Sequence, residues 1–182
     1  MDRRIKKTQE AIYSVFIDLL KEKGFNKLSI SDISERADIN RGTFYFHFSD
    51  KYDLYEKCMD FYVGKLLISC SNDTEIKLNP NAFLQIFKYL KENYDIYRTL
   101  LYADGLSIFH KKFHNAIEGQ LKKAINKMPE EIILSQEIAS EFIINGFTGV
   151  VEWWINNSMP YSPEIMTEKL NGIFSPYTKY IV

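Results

Sequence analysis

Ser29, with Asp32 three residues on, carries the pattern of a helix start in which side chain and backbone cap each other. Asn40 carries a second start signal, directly before Arg41. A helix that opens at Ser29 and turns Ile30, Ile33 and Ala37 inward must therefore close near Ala37. Asp38 follows where a left-handed residue is wanted, a conformation that Asp tolerates better than most. Upstream, Ile12, Val15, Phe16, Leu19 and Leu20 form one stripe of a helix expected over 4–23. Gly24 supplies its C-terminal cap, and Phe25 the hydrophobic contact that such caps favour. A helix, then two short helices joined by a tight polar turn, is the pattern of a helix-turn-helix.

The second short helix, expected over 41–48, is crowded with rings. At about 100° per residue, Phe44 and Phe48 share one face and suit the core. Thr43, Tyr45 and Phe46 point elsewhere, and so short a helix has no second stripe of partners for them. Gly42 costs about 1 kcal/mol inside a helix, which makes sense if another surface must come close. A DNA major groove accounts for these features: Arg41 can fork onto guanine, Gly42 lets backbone approach the bases, and Thr43 can meet a base edge. Tyr45 and His47 can donate to phosphates, as can Lys51 at the start of the next helix. Ser29 and Ser31 lie where a neighbouring backbone would pass. The alternative is that Tyr45, Phe46 and His47 pack against the second domain.

Ser49 or Asp50 starts a long helix over 51–71, and the polar stretch at 72–81 reads as a link. Further helices are expected near 80–93, 96–102, 106–127, 130–156 and 163–180, with Pro129, Pro160 and Pro163 at the breaks. Glycine and proline are sparse, and Asp-Gly occurs once, at Asp104-Gly105, so the fold class is all-α. The net charge of −1 does not favour nucleic acid, but Arg3, Arg4, Lys6 and Lys7 make the N-terminal arm basic. Cys58 and Cys70 lack metal-ligand spacing and read as reduced core thiols of a cytoplasmic protein. No signal peptide precedes them, and the apolar segment at 143–155 is too short to span a membrane. His110 and His114 have metal-compatible spacing but no ligand cluster nearby, so they read as a solvated pair beside Lys111 and Lys112. No catalytic signature is evident, and no enzyme, cofactor or metal site is expected.

The segment SEFIINGFTGVVEWWINNSMPYSPEIM is apolar on nearly every side of a helix, so it must be buried from two sides. Phe142, Phe147, Val150, Val151 and Trp154 exceed what one partner can cover, and Gly146 and Gly149 let another helix approach closely. The next helix adds Ile165, Met166, Leu170, Ile173 and Phe174. Such a helix pair packing on its symmetry mate gives an isologous four-helix dimer interface; one large monomer core is the alternative. Tyr62, Tyr89, Tyr94 and Tyr97 could line an apolar effector pocket with Tyr102, Phe109, Phe113 and Trp153. They could equally be plain core.

The stretch LSISDISERADINRGTFYFHFSDKYDLYEKC, residues 28–58, resembles the DNA-binding signature of the TetR family of transcriptional regulators. The T-F-Y-x-H-F core followed by a polar pair and Lys51 carries the likeness. Asp38 stands where the family usually has glycine, and Asn40 where serine or threonine is usual. The resemblance implies a three-helix DNA-binding domain over 1–50 and a helical effector and dimerisation domain over 51–182. It also implies a homodimer on a pseudo-palindromic operator, modulated by a small-molecule effector, with repression the family's default and activation the alternative. Ser29, Ser31, Arg41, Gly42, Thr43, Tyr45, Phe46, His47 and Lys51 would then touch or approach DNA. The G-x-x-G spacing, the Trp pair and PYSPE also look like a subgroup that includes an activator of dihydroxyacetone kinase genes, a likeness that fixes no ligand. A ligand-binding or enzymatic helical protein with a purely structural helix-turn-helix is one rival reading. A dimerising adaptor without an effector is another.

Overall fold

The computed structural model describes residues 3–69, 80–102, 106–125 and 133–178. Their regular structure is entirely helical: α1 Arg3–Lys23, α2 Ile30–Arg36, α3 Arg41–His47, α4 Lys51–Ser69, α5 Pro80–Glu92, α6 Tyr94–Leu100, α7 Leu106–Ile125, α8 Ile133–Asn156 and α9 Pro163–Thr178. Cys70, the Asp104-Gly105 turn, Pro129 and most of the expected link at 72–81 lie outside the described residues, as does the side chain of Phe174.

Local chemistry sets the first three helices. Gly24, at φ +71°, ends α1 and returns its N–H to the Leu20 carbonyl at 3.0 Å. At the start of α2 the Ser29 hydroxyl accepts from the Asp32 N–H at 3.2 Å, while the Ser29 N–H donates to the Asp32 carboxylate at 2.9 Å. Asp38 sits at φ 51°, the left-handed turn expected of it. The Asn40 side-chain oxygen takes the Thr43 N–H at 2.7 Å and opens α3. Phe48 is already extended at φ −139°, so α3 ends one residue sooner than the periodicity suggests. Asp50 opens α4 by accepting from the N–H groups of Tyr52 and Asp53, both at 2.8 Å.

Ile12, Phe16, Ile33, Phe44 and Phe48 are buried where α1, α2 and α3 meet, and α4 continues that core with Leu54, Cys58 and Met59. Each such side chain contributes about 1.5–3 kcal/mol by leaving water. Beyond, α4 packs on α5 and α7, α7 runs along α8, and α5 along α9. Helix α6 links the two regions, touching α1 on one side and α8 on the other. The Tyr55 hydroxyl of α4 donates to the buried Leu100 carbonyl of α6, and the Tyr55 ring meets Phe16 of α1 at 5.9 Å. Among the described residues, no helix is long and apolar enough to cross a membrane.

Candidate nucleic-acid interface

Helix α3 has two faces of opposite character. Phe44 and Phe48 point inward and are fully buried, with Phe48 packed on Tyr13 of α1 at 5.8 Å between ring centres. Phe46 is 72% exposed and Tyr45 49%, so neither packs against the body of the protein, the alternative weighed for them above. Arg41 and Gly42 are exposed beside them, and Thr43 and His47 are half-buried at the edges. Arg41, Gly42, Tyr45 and Phe46 thus form one outward surface on a rigidly seated helix.

That seating depends on two fixtures. At the front, Asn40 holds the Thr43 N–H and also takes the Thr43 hydroxyl at 3.2 Å. A Cβ on Gly42 would stand 3.1 Å from the Asn40 side-chain oxygen, so the cap itself gives a reason for glycine there, independent of any approaching surface. At the back, Lys57 of α4 donates to the His47 carbonyl at 3.1 Å and pairs with Asp53 at 2.9 Å. Asp53 in turn accepts the Ser49 N–H at 2.8 Å. The sequence reading missed Lys57 and Asp53 as positioning residues, although their i,i+4 spacing on a helix was visible. Burial holds the His47 imidazole below its usual pKa, and the nearby Lys57 ammonium adds to the effect.

Two residues expected at or near the DNA backbone, Lys51 and Ser29, are hydrogen-bonded within the protein. The Lys51 ammonium donates to the carbonyls of Phe25 and Leu28, both at 3.1 Å, and of Asn26 at 3.4 Å, and sits 4.8 Å over the Phe25 ring. An ammonium has three protons. Those of Lys51 are committed to the turn after α1, so its side chain fastens α4 to that turn. The Ser29 hydroxyl is committed likewise: it donates to Asp32 at 2.7 Å, which leaves no proton for a phosphate. Ser31 is exposed.

The expected effector residues differ in their exposure. Tyr62, Tyr97, Phe109 and Phe113 are core, with Phe109 and Phe113 stacked at 5.2 Å and the Tyr97 hydroxyl donating to the Tyr62 carbonyl at 2.8 Å. Tyr89 and Tyr94 are half-buried, whereas Trp153 faces outward against Tyr161. Tyr102 is exposed and borders a cleft between α1 and α6. The expected dimer set also divides. Phe147, Trp154, Met166 and Leu170 lie inside the protomer, with Phe147 4.8 Å from Phe83 and Trp154 4.9 Å from Phe87. These four are therefore unavailable to a partner, because α5 already covers that side of α8 and α9. Phe142, Gly146, Gly149, Ile165 and Ile173 are exposed, and Val150 is half-buried.

His110 and His114 are not simply solvated. His110 stands 3.2 Å from Glu152 and 3.3 Å from Asn145, and His114 3.2 Å from Glu141, all on α8. They join α7 to α8 through side chains brought together only by folding. Burial pushes the Glu152 carboxyl above its usual pKa, against the lowering by the His110 hydrogen bond. Among the described residues, no group of three or more His, Cys, Asp or Glu side chains could hold a metal ion.

Comparison with known proteins matches these features at both ends of the chain. The model of bacterial regulatory proteins of the tetR family matches residues 12–58, and that of a TetR-type transcriptional regulator C-terminal region matches residues 79–176, more than half of the chain. The HTH-type dhaKLM operon transcriptional activator DhaS of Lactococcus lactis is 26% identical over 74% of this chain and 65% of its own. The biofilm operon icaADBC HTH-type negative transcriptional regulator IcaR of Staphylococcus aureus is 24% identical over 64% of this chain and 62% of its own. The chain thus spans slightly less than two-thirds of the length of these curated relatives. Among solved structures, a dihydroxyacetone kinase operon activator DhaS superposes with a TM-score of 0.68 at 20% identity, covering 96% of this chain and 97% of the other. A TetR transcriptional regulator from Streptococcus agalactiae gives 0.64 at 24% identity, covering 94% and 96%. These two likenesses carry the fold. Taken with the family models, which span both the helix-turn-helix and the helices behind it, they place the chain in the TetR family of bacterial transcriptional regulators.

Proposed function

We propose that this regulator binds a pseudo-palindromic operator as a homodimer, with α3 of each protomer in a major groove, and that a small-molecule effector modulates the binding. Residues 1–50 read DNA in this account, and residues 51–182 dimerise and sense the effector. The observation that carries the reading is the outward face of α3. Its cap, its buried Phe44 and Phe48 and its Lys57 tether hold Arg41, Tyr45 and Phe46 toward solvent on a helix that cannot roll. Arg41 suits guanine, Thr43 a base edge or thymine methyl, and Tyr45 and His47 the flanking phosphates. Ser31 stands at the front of α2, where a neighbouring phosphate would pass.

The dimer is supported by an apolar strip that the protomer leaves open. Ile138, Phe142 and Trp153 of α8 are exposed, as are Ile165 and Ile173 of α9. A Cβ on Gly149 or Gly172 would meet nothing within 4 Å, so partner helices can approach closely there. A patch of this kind marks an interaction surface. Repression is the first reading, since a dimer seated over a promoter blocks it. The likeness to DhaS, itself an activator, favours activation as the second.

Selection from random duplexes, joined to sedimentation of the free protein, tests the proposal. It expects two inverted half-sites with centres about 34–36 Å apart and a dimer in solution. A stable monomer at micromolar concentration, or no enriched sequence, would contradict it.

A further inference from the structure

The last turn of α1, the turn over residues 24–27 and helix α6 border an open cleft of about 790 Å³. Small-molecule sites run from about 300 to 1,000 Å³. Four cations border it, Lys21, Lys23, Lys27 and Arg98, against one acid, Asp95. Lys23 is taken by Asp32 at 2.6 Å. Lys21 and Lys27 are exposed, and among the described residues no carboxylate pairs with them. Arg98 has no carboxylate partner among the described residues either; its guanidinium lies over the rings of Tyr94 at 5.8 Å and Tyr102 at 5.3 Å. A cation–π contact leaves the N–H donors of a guanidinium unused, so the fork that suits a carboxylate stays available. Tyr102 adds an exposed ring at the mouth, and Phe25 an apolar wall.

From this arrangement the geometry points to a binding site for a small aromatic carboxylate. The carboxylate pairs with Arg98 and with Lys21 or Lys27, the ligand ring stacks on Tyr102, and a ring hydroxyl donates to Asp95. As the site of the effector, the inference rests on the regulator reading above. Its consequence follows from what the cleft touches. The turn that forms its floor is the one whose carbonyls hold the Lys51 ammonium, and α6 is tied to α4 through Leu100 and Tyr55. An occupant therefore clamps α1 to α6 at the junction between the reading helices and the rest of the molecule. The linkage is reciprocal: whatever factor the ligand imposes on operator affinity, the operator imposes on ligand affinity.

Isothermal titration calorimetry of the full chain with 4-hydroxybenzoate, and separately with inorganic phosphate, tests the site without DNA. Saturable binding of one 4-hydroxybenzoate per protomer is expected. Arg98→Gln and Tyr102→Ala should each weaken it at least tenfold; both residues are exposed, and circular dichroism melting should be unchanged. No saturable heat at ~10 mM ligand, a concentration that would reveal even millimolar affinity, would overturn the proposal. So would variants that bind as tightly as the parent chain, or phosphate binding as tightly as the aromatic acid. A chain that binds the acid but selects no duplex refutes the regulator reading and leaves the cleft assignment standing. One that selects a duplex but binds no acid does the reverse.

Discussion

Phe44 and Phe46 stand on opposite sides of one two-turn helix, the first fully buried and the second largely in solvent. The division assigns separate tasks to neighbouring rings, and the polar residues beside them divide in the same way. His47 is held below its usual pKa by burial and then by Lys57, so the free protein carries a neutral ring near pH 7. A phosphate beside it favours the charged form, so binding takes up a proton between the free and the bound pKa. Operator affinity should therefore rise as pH falls toward 6, and His47→Gln should flatten the profile in fluorescence anisotropy titrations. Lys51 makes the opposite case. With its protons on three carbonyls, Lys51→Met should lower the melting temperature. It should also leave the slope of log affinity against log salt concentration unchanged, whereas loss of a phosphate contact would reduce that slope by about 1.

At the scale of the element, α3 depends on its cap. Asn40→Ala should cost about 1 kcal/mol in denaturant unfolding. Gly42→Ala brings a Cβ to 3.1 Å from the Asn40 oxygen, so it should destabilise the parent chain but cost less, or stabilise, in the Asn40→Ala background. A double-mutant cycle reads the difference; strict additivity would contradict the contact. Such caps were legible in the sequence because they involve residues three or four apart: Ser29 with Asp32, Asn40 with Thr43, and Gly24 and Asp38 at their positive φ angles. The inward pair Phe44 and Phe48 was legible from period alone. The destination of Lys51 was not, since its acceptors lie 23 to 26 residues away in sequence. Nor was the division of α8. An apolar period on every side says that two partners are needed, but only the packing of Phe147 and Trp154 on α5 shows which face the protomer covers itself. The acceptor of the Tyr97 hydroxyl was not legible either, because the Tyr62 carbonyl lies 35 residues away in sequence.

Across the whole molecule, the proposed account depends on two places, one inside the protomer and one on its surface. Tyr55 bridges Phe16 of α1 and the Leu100 carbonyl of α6, and the exposed apolar residues of α8 and α9 are where the proposed second protomer would sit. Phe142 is exposed in the protomer, so Phe142→Glu should leave its fold intact while placing like charges across a two-fold axis. Sedimentation velocity should then show a monomer with an unchanged helical spectrum, and operator affinity should fall with loss of the second reading head. A variant that stays dimeric would move the interface off this strip. The central claim, that the outward face of α3 reads DNA, is tested most directly by anisotropy titration of a selected operator with the Thr43→Ala, Tyr45→Ala double variant. The account predicts a folded dimer that has lost sequence-specific binding, with its affinity reduced to that for random duplex. Binding equal to the parent chain's by the same folded variant would contradict it.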